Sequence, residues 1–452
     1  MLKSMELPDC IYSSQPVTIL PCAPTPKHSL YLSNLDDQKF LRFSIKYMYL
    51  FKKSVSLDIL KSSLSRVLVD YYPLAGRLRR TSSQDDHKLE VDCNGEGAVF
   101  AEAFMDTTTQ ELLEPSKTPN KSWRKFLYKV EAQSFLDVPP LVVQVTSLCC
   151  GGMILCTAIS HCLCDGIGTS QFLHAWAQLT AKPQAHLTIM PFHCRHPLKP
   201  RKPPQVKFRH PGYTAASPSP QVNLFNLIQS HPLVPTSLTL TPSHLLCLKK
   251  QCIPPLKCTS FEAVAAHTWR SWIRSLNPSP PSTLLVKLLF SVNVRTIVNL
   301  PHGYYGNGFL LACAESTVED LVKGKLEHGV KLVQEGKARL KDEEYVRSVV
   351  DLLEDKTVKT DLSTTLVISQ WSKLGLEEVD FGEGKALHMG PLTTDIYCLF
   401  LPVMDDVDAV RVVLSVPENM VDSFHYHMKQ GWQTKQQNGD DDNNGYHENG
   451  FL

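Results

Sequence analysis

A stretch dense in proline and basic residues, from Pro191 to Pro220, splits the chain into two parts of similar size. The segment PFHCRHPLKPRKPPQVKFRHPG has no hydrophobic period, and its prolines lack the backbone donor that a helix or a central strand requires. It reads as a long crossover (191–220) between an N-terminal domain (1–190) and a C-terminal domain (221–432). Residues 433–452 are polar, have nothing to bury, and are expected to form a disordered tail.

Both parts mix strands and helices. In the first, Leu57, Leu60, Leu64, Val67 and Leu68 form a helical stripe behind Ser56, ended by Pro73 and Gly76 of YYPLAGRL, with a strand following at Lys88–Val91. LVVQVTSL and MILCTAIS flank CCGG and read as a hairpin. Beyond Gly168 a helix is expected, capped by Thr169 or Ser170, with Phe172, Leu173, Trp176 and Leu179 facing inward. In the second part, Thr259 or Ser260 opens the helix TSFEAVAAHTWRSWIRSL, and STLLVKLLFSVNVRT is a buried strand. Thr317–Asp342 reads as one amphipathic helix and Met420–Lys429 as the last helix. LVISQWSKL, DIYCLFLPVM and AVRVVLSVP are strands, the last two joined by a tight acidic turn at Asp405–Asp408. This irregular alternation argues for an α/β fold with mixed sheets rather than a doubly wound one.

Charge narrows the partners. Lys plus Arg total 46 against 45 for Asp plus Glu, a formal net charge of +1, so no basic excess points to nucleic acid or to a polybasic membrane contact. No apolar run reaches the roughly 18 residues of a spanning helix, and MLKSMELPDC lacks the apolar core of a secretory signal. The 14 cysteines are scattered, which suits free thiols in a reducing compartment. A cytoplasmic protein without a membrane span is expected.

The chemistry gathers at His161-Cys162-Leu163-Cys164-Asp165-Gly166, between a strand and a helix. A histidine at a strand end is rigidly placed, and its near-neutral pKa suits a general base. Asp165 could orient it or fix the loop, and Gly166 would let the chain turn sharply into the helix. Two other readings compete. The histidine could simply be buried and bonded to a loop. Cys149, Cys150, His161, Cys162 and Cys164 could hold zinc, but their spacing is not that of structural sites, and strand alternation scatters them. A nucleophilic Cys162 or Cys164 is also conceivable, though adjacency in sequence does not supply the geometry a nucleophile–base pair needs.

A second motif, Asp380-Phe381-Gly382-Glu383-Gly384, lies in the other half. HxxxDG followed by DFGxG, with YYPLAGRL, TSFEAVAAHTW, SVNVR, YYGN and VISQW in order, resembles the plant BAHD acyltransferases over nearly the whole chain. The resemblance implies two chloramphenicol-acetyltransferase-like α/β domains with mixed sheets and a channel between them. Acyl-CoA would enter from one face as co-substrate and a small hydrophobic alcohol from the other, with no metal and with a monomer as the working form. It implies that His161 takes the acceptor's proton, that Asp165 points away and pairs with Arg295, that the Trp371 indole donates to the oxyanion, and that Ser369 bonds the acceptor.

Asp380 and Gly382 would support the domain interface and the CoA channel. Glu383 replaces the family's usual tryptophan, a change expected to alter packing there. For CoA itself, the helix start at Thr259 and Ser260, with Lys257 before it, is either a phosphate cradle or a plain helix cap. Transfer of an acyl group from CoA to a hydroxyl or amine is the expected activity, with fatty alcohols and hydroxylated steroids such as brassinosteroids as the acceptor flavour. The alternative is a non-catalytic accessory protein of the same fold. A condensation domain would carry two adjacent histidines, and residue 160 is Ser160.

Overall fold

The computed structural model describes residues 7–81, 88–113, 121–215, 223–254, 256–394, 397–404 and 406–432. The tail expected at 433–452 lies outside them. Two large sheets organise the chain. The first has seven strands, in the order Ile11–Tyr12, Ala98–Met105, Leu141–Leu148, Met153–Ser160, Ser44–Phe51 and His388–Pro391, with Val17–Ile19 also on Ala98–Met105. The second has six, in the order Leu233–Leu240, Asp406–Pro417, Cys398–Val403, Thr365–Gln370, Leu285–Asn293 and Phe309–Thr317. Parallel and antiparallel pairs occur in both, so this is the two-domain α/β architecture with mixed sheets.

Each sheet is covered by helices whose apolar stripe faces it. Leu57–Asp70 buries Leu60, Leu64, Val67 and Leu68 beside Gly166–Ala181, in one core. Ser260–Ser275 lies almost wholly inside the other, where Trp269 and Trp272 pack with Leu326, Val330 and Phe424. The hairpin Leu141–Ser160 turns at Gly151, whose φ of +83° favours glycine. Its second strand is buried at every position, as a strand covered on both faces requires.

Three local expectations are corrected. The helix at Gly166–Ala181 is capped by Asp165, whose side chain accepts from the Gly168 amide, while Thr169 and Ser170 sit buried within the helix. Thr317–Asp342 is two helices, Val318–Lys323 and Leu326–Arg339. They part at Gly324, where a Cβ would lie 2.3 Å from the Asp320 carbonyl oxygen. The late hairpin turns earlier than expected: Val403 pairs with Asp406, so Asp406 and Asp408 already belong to the last strand, and Asp405 lies outside the described residues.

Two segments tie the halves together. The crossover is built into the protein: Phe192 bridges Tyr304, Arg195 and Leu198 are buried, and Tyr213–Ala215 pairs with Val358–Thr360. In the other direction, His388–Pro391 leaves the second half and completes the first sheet along Tyr47–Leu50.

Candidate active site

His161 follows directly on the strand Met153–Ser160, and its backbone is clamped from both halves. Its amide donates to the Phe43 carbonyl (2.9 Å) and its carbonyl accepts from Asn307 Nδ2 (2.7 Å). Phe43 packs edge-on against the ring at 5.4 Å, and Phe309 lies 5.9 Å away. Nδ1 is buried, which leaves Nε2 as the nitrogen open to the cavities. Burial holds the proton affinity of His161 below the ordinary histidine value, with Asp165 and Asn307 opposing only in part. The ring is therefore neutral near pH 7 and able to accept a proton.

Asp165 turns away from His161. Its Oδ1 accepts from Gly168 N (2.9 Å) and Arg295 Nη2 (2.8 Å), and its Oδ2 from Gly308 N (3.0 Å). Burial alone would raise its pKa, but Arg295 and the two amides outweigh that and hold the carboxyl below its usual range. Of the two roles open in the sequence, Asp165 thus has the one that fixes the loop. Arg295 also donates to the Tyr304 and Gly306 carbonyls. Gly166 is at an ordinary helical start rather than a positive-φ turn. It is Gly168 that allows close approach: a Cβ there would lie 1.8 Å from the Tyr305 oxygen.

A second buried ion pair braces the same loop. Arg195 Nη2 donates to the Leu163 carbonyl (3.1 Å), and its Nε lies 3.6 Å from Asp36 Oδ2, both side chains fully buried. The guanidinium rests on the rings of Tyr304 and Tyr305 at 4.9 and 4.7 Å. Asp36 Oδ1 accepts from the Asn307 amide and Nδ2 (2.9 and 3.0 Å), so one asparagine links the Asp36 carboxylate to the His161 backbone. The sequence allowed Asn307, in YYGN, a purely architectural role, and Arg195 and Asp36 were passed over. For Asn307 the signal was YYGN itself; Arg195 is one of three arginines in the crossover, and nothing in the sequence sets it apart from Arg201 and Arg209.

His161 stands between two cavities. On one side is an apolar cavity of about 300 Å³, walled by Phe40, Phe43, Phe309, Leu311, Val367 and Tyr397. On the other, a space of about 280 Å³ includes Asn293, Ser372 and Lys373. These residues also border a larger polar cavity of about 770 Å³, edged by Lys337 and Lys385. Trp371 and Ser369 line both spaces beside His161. Trp371 is stacked on Tyr47 at 4.7 Å, and its amide donates to the Phe400 carbonyl (2.8 Å). Ser291 borders all three, although in SVNVR only Arg295 had drawn a role.

Thr259 and Ser260 border the polar cavity. Thr259 is a helix cap: its hydroxyl accepts from Glu262 N (3.2 Å) while Glu262 Oε2 accepts from Thr259 N (3.0 Å). Lys257 is exposed and meets the site's surroundings only through its carbonyl, which accepts from Gln334 (2.9 Å). The cations at that cavity are Lys337, Lys373 and Lys385, with Glu377, Glu378 and Asp408 on the same wall; Lys337 pairs with Glu262 and Lys385 with Glu378. Lys373 holds a φ of +87°, a left-handed backbone rare outside glycine.

The DFGEG turn anchors elements rather than meeting the histidine. Asp380 Oδ1 accepts from Gly382 N and Gly384 N (2.7 and 2.9 Å), and both glycines adopt positive φ, 105° and 104°. Phe381 is buried edge-on against Trp176 (5.0 Å) and Phe51 (5.9 Å). Glu383 stands on the exposed tip, 3.5 Å from Lys53.

The sulfur chemistry separates as well. Cys162 and Cys164 are buried and burial pushes both thiols far up, away from the thiolate a nucleophile needs. Cys149 and Cys150 are exposed at the hairpin turn, at the far end of the strand from His161. Among the described residues no group of three or more His, Cys, Asp or Glu side chains is placed to hold a metal, and no helix is long and apolar enough to cross a membrane.

Fold and site together place one histidine on two cavities of different lining. The chain belongs to the Transferase family, whose family model matches residues 12–430, the family of the plant BAHD acyltransferases. It is 33% identical over 430 residues to an omega-hydroxypalmitate O-feruloyl transferase of Arabidopsis thaliana, covering 92% of each chain. It is 35% identical over 400 residues to a benzyl alcohol O-benzoyltransferase of Petunia hybrida, covering 86% of this chain and 85% of the relative. The fold is that of F. graminearum TRI101 complexed with ethyl coenzyme A, with a TM-score of 0.76 at 14% identity over 90% of this chain and 98% of the other.

Proposed function

We propose that this protein moves an acyl group from acyl-CoA directly to the hydroxyl of a hydrophobic alcohol, within a ternary complex. The observation that carries this reading is the position of His161 between an apolar cavity and a lysine-edged polar one. The apolar side has the chemistry of an uncharged acceptor. The polar side suits the pantetheine and phosphates of CoA, with Lys373 lining both it and the space beside His161, Lys337 and Lys385 already paired with Glu262 and Glu378, and Thr259 and Ser260 on its wall.

The neutral His161 takes the acceptor's proton at Nε2 as the alcohol oxygen attacks the thioester carbon. The oxygen of that carbonyl becomes an oxyanion that the Trp371 indole N–H stabilises, while the Ser369 hydroxyl bonds the acceptor. The tetrahedral intermediate then collapses, the C–S bond breaks, and His161 returns the proton to the departing thiolate. Asp165, Arg295 and Gly166 hold the loop beneath the histidine; Asp380 and Gly382 hold the turn that pins the second half to the first core.

We take residues 1–190 and 221–432 as the two domains and 191–220 as their crossover. A monomer in the cytosol is taken as the working form. The relatives named for benzyl alcohol and omega-hydroxypalmitate support an alcohol as acceptor. The test is release of free CoA thiol over a grid of acyl-CoAs with alcohol and amine acceptors, comparing the protein with His161→Ala. Acceptor-dependent release that disappears in the variant supports the reading. A silent grid, or equal rates in both proteins, overturns it in favour of an accessory role.

A further inference from the structure

The wall of the apolar cavity continues beyond it. Three strands of the second sheet, Leu285–Asn293, Phe309–Thr317 and Thr365–Gln370, show alternate side chains to one face. In register these form rungs: Lys287 beside Glu315 and Thr365, then Leu289 beside Cys313 and Val367, then Ser291 beside Leu311. The last rung borders His161's apolar cavity. The first borders an outer cavity of about 970 Å³ that also includes Tyr213 and Thr364. Leu289 and Cys313 of the middle rung stand between them, about 7 Å of sheet at the usual rise per residue, while Val367 of that rung already lines the inner cavity.

That rung is apolar, packed and capped. Leu289 is 0% and Cys313 5% exposed, and both cluster with Leu311, Val367, Phe40 and Tyr397 of the inner wall. The crossover lies directly on them: a Cβ at Gly212 would sit 3.0 Å from Leu289 Cδ2 and 3.6 Å from Cys313 Cβ. The crossover is held there by Lys287 Nζ donating to the Pro211 carbonyl (2.9 Å) and Asp361 N donating to the Gly212 carbonyl (2.9 Å). Just outside, the Tyr213 hydroxyl is buried without a hydrogen-bond partner.

We infer that the two cavities are chambers of one trough, partitioned by Leu289 and Cys313 under Gly212, and that this partition sets the length of alcohol the enzyme accepts. The inference rests on the apolar cavity being the acceptor side. Shorter acceptors fill the inner chamber and stop at Leu289. Acceptors long enough to pass it would reach the outer chamber.

The test is calorimetric binding of straight-chain alcohols from butan-1-ol to dodecan-1-ol to the whole protein, which needs no acyl donor. Affinity is expected to rise about fourfold for each added methylene, from roughly 0.8 kcal/mol per buried CH₂, and then to level off where the chain meets the rung. Leu289→Ala, and independently the milder Cys313→Ala, move that break to longer alcohols and raise the decanol-to-butanol affinity ratio at least tenfold. The ratio is insensitive to a partly unfolded fraction. A wild type with no break up to dodecanol, or a break at the same length in both variants, overturns the partition. A moving break with no thiol release upholds the partition while the acyl-transfer reading falls.

Discussion

The Asp165 carboxylate lies 2.8 Å from the Arg295 guanidinium, 130 residues away in sequence, and none of its hydrogen bonds goes to His161. The aspartate of HxxxDG is therefore a bracket between the halves. Asp165→Asn leaves Arg295 buried without its counter-charge, which is expected to cost about 3–5 kcal/mol. A melting temperature several degrees lower in Asp165→Asn, with kcat reduced through the displaced loop, checks this. Asp165's folded pKa is depressed, so its stabilisation is full above the unfolded value of about 3.9 and is lost as pH falls below it through the folded value. That acid limb should be absent in the variant.

For His161, burial lowers the folded pKa, so the base form dominates at neutral pH. A plot of log kcat/KM against pH should rise and then level off, with its bend below the ordinary 6.5. His161→Ala should remove the bend and lower kcat by about 10²–10⁴. A bend above 7 would contradict the burial argument.

Stability toward mild acid depends on other histidines. Burial lowers His193, His210 and His267 to about 4 and His388 to about 3. The unfolded chain takes up protons at these positions first, so their contribution shrinks as pH falls from about 6.5 toward 4. For His267, 1% exposed with Nε2 against the Met428 carbonyl, the loss is on the order of 3 kcal/mol. Thermal melts between pH 7.5 and 4.5 should show a steep decline, which His267→Gln should flatten.

Trp371→Phe retains a ring to stack on Tyr47 but deletes the indole N–H. If that N–H stabilises the oxyanion, kcat falls about 10²–10³-fold while melting changes little. Steady-state kinetics beside a thermal melt separate that donor role from mere packing.

The DFGEG turn allows an opposed pair. Glu383→Ala, at the exposed tip, should stay within about 0.5 kcal/mol of the parent. Phe381→Ala, between Phe51 and Trp176, should lose about 3–5 kcal/mol. Urea unfolding of both variants measures the contrast.

Local order was legible where the pattern was local. The hairpin around Gly151, the stripe on Leu57–Asp70 and the Thr259 cap follow from periodicity and turn chemistry. The cap at Asp165 was obscured because two threonine- and serine-type candidates lay a few residues on. The resemblance had already paired Asp165 with Arg295, whereas Gly308, the other donor from the second half, carried no sequence signal. Asn307 had a motif and at most an architectural reading, and Arg195 and Asp36 had no motif at all. Their importance lies in contacts between segments more than a hundred residues apart, which a single sequence does not encode by spacing. The cavity walls are hidden for the same reason: Phe40, Leu311 and Tyr397 meet only once the two sheets face each other.

The strand His388–Pro391 has a consequence during synthesis. The edge of the first sheet along Tyr47–Leu50 leaves the ribosome long before its partner exists. At about 5–20 residues per second that delay is tens of seconds. For that time the nascent chain carries an unpaired, largely apolar edge of the kind other strands can capture. The N-terminal half cannot mature on its own schedule, and a holding chaperone would have its clearest work there until the last quarter of the chain arrives.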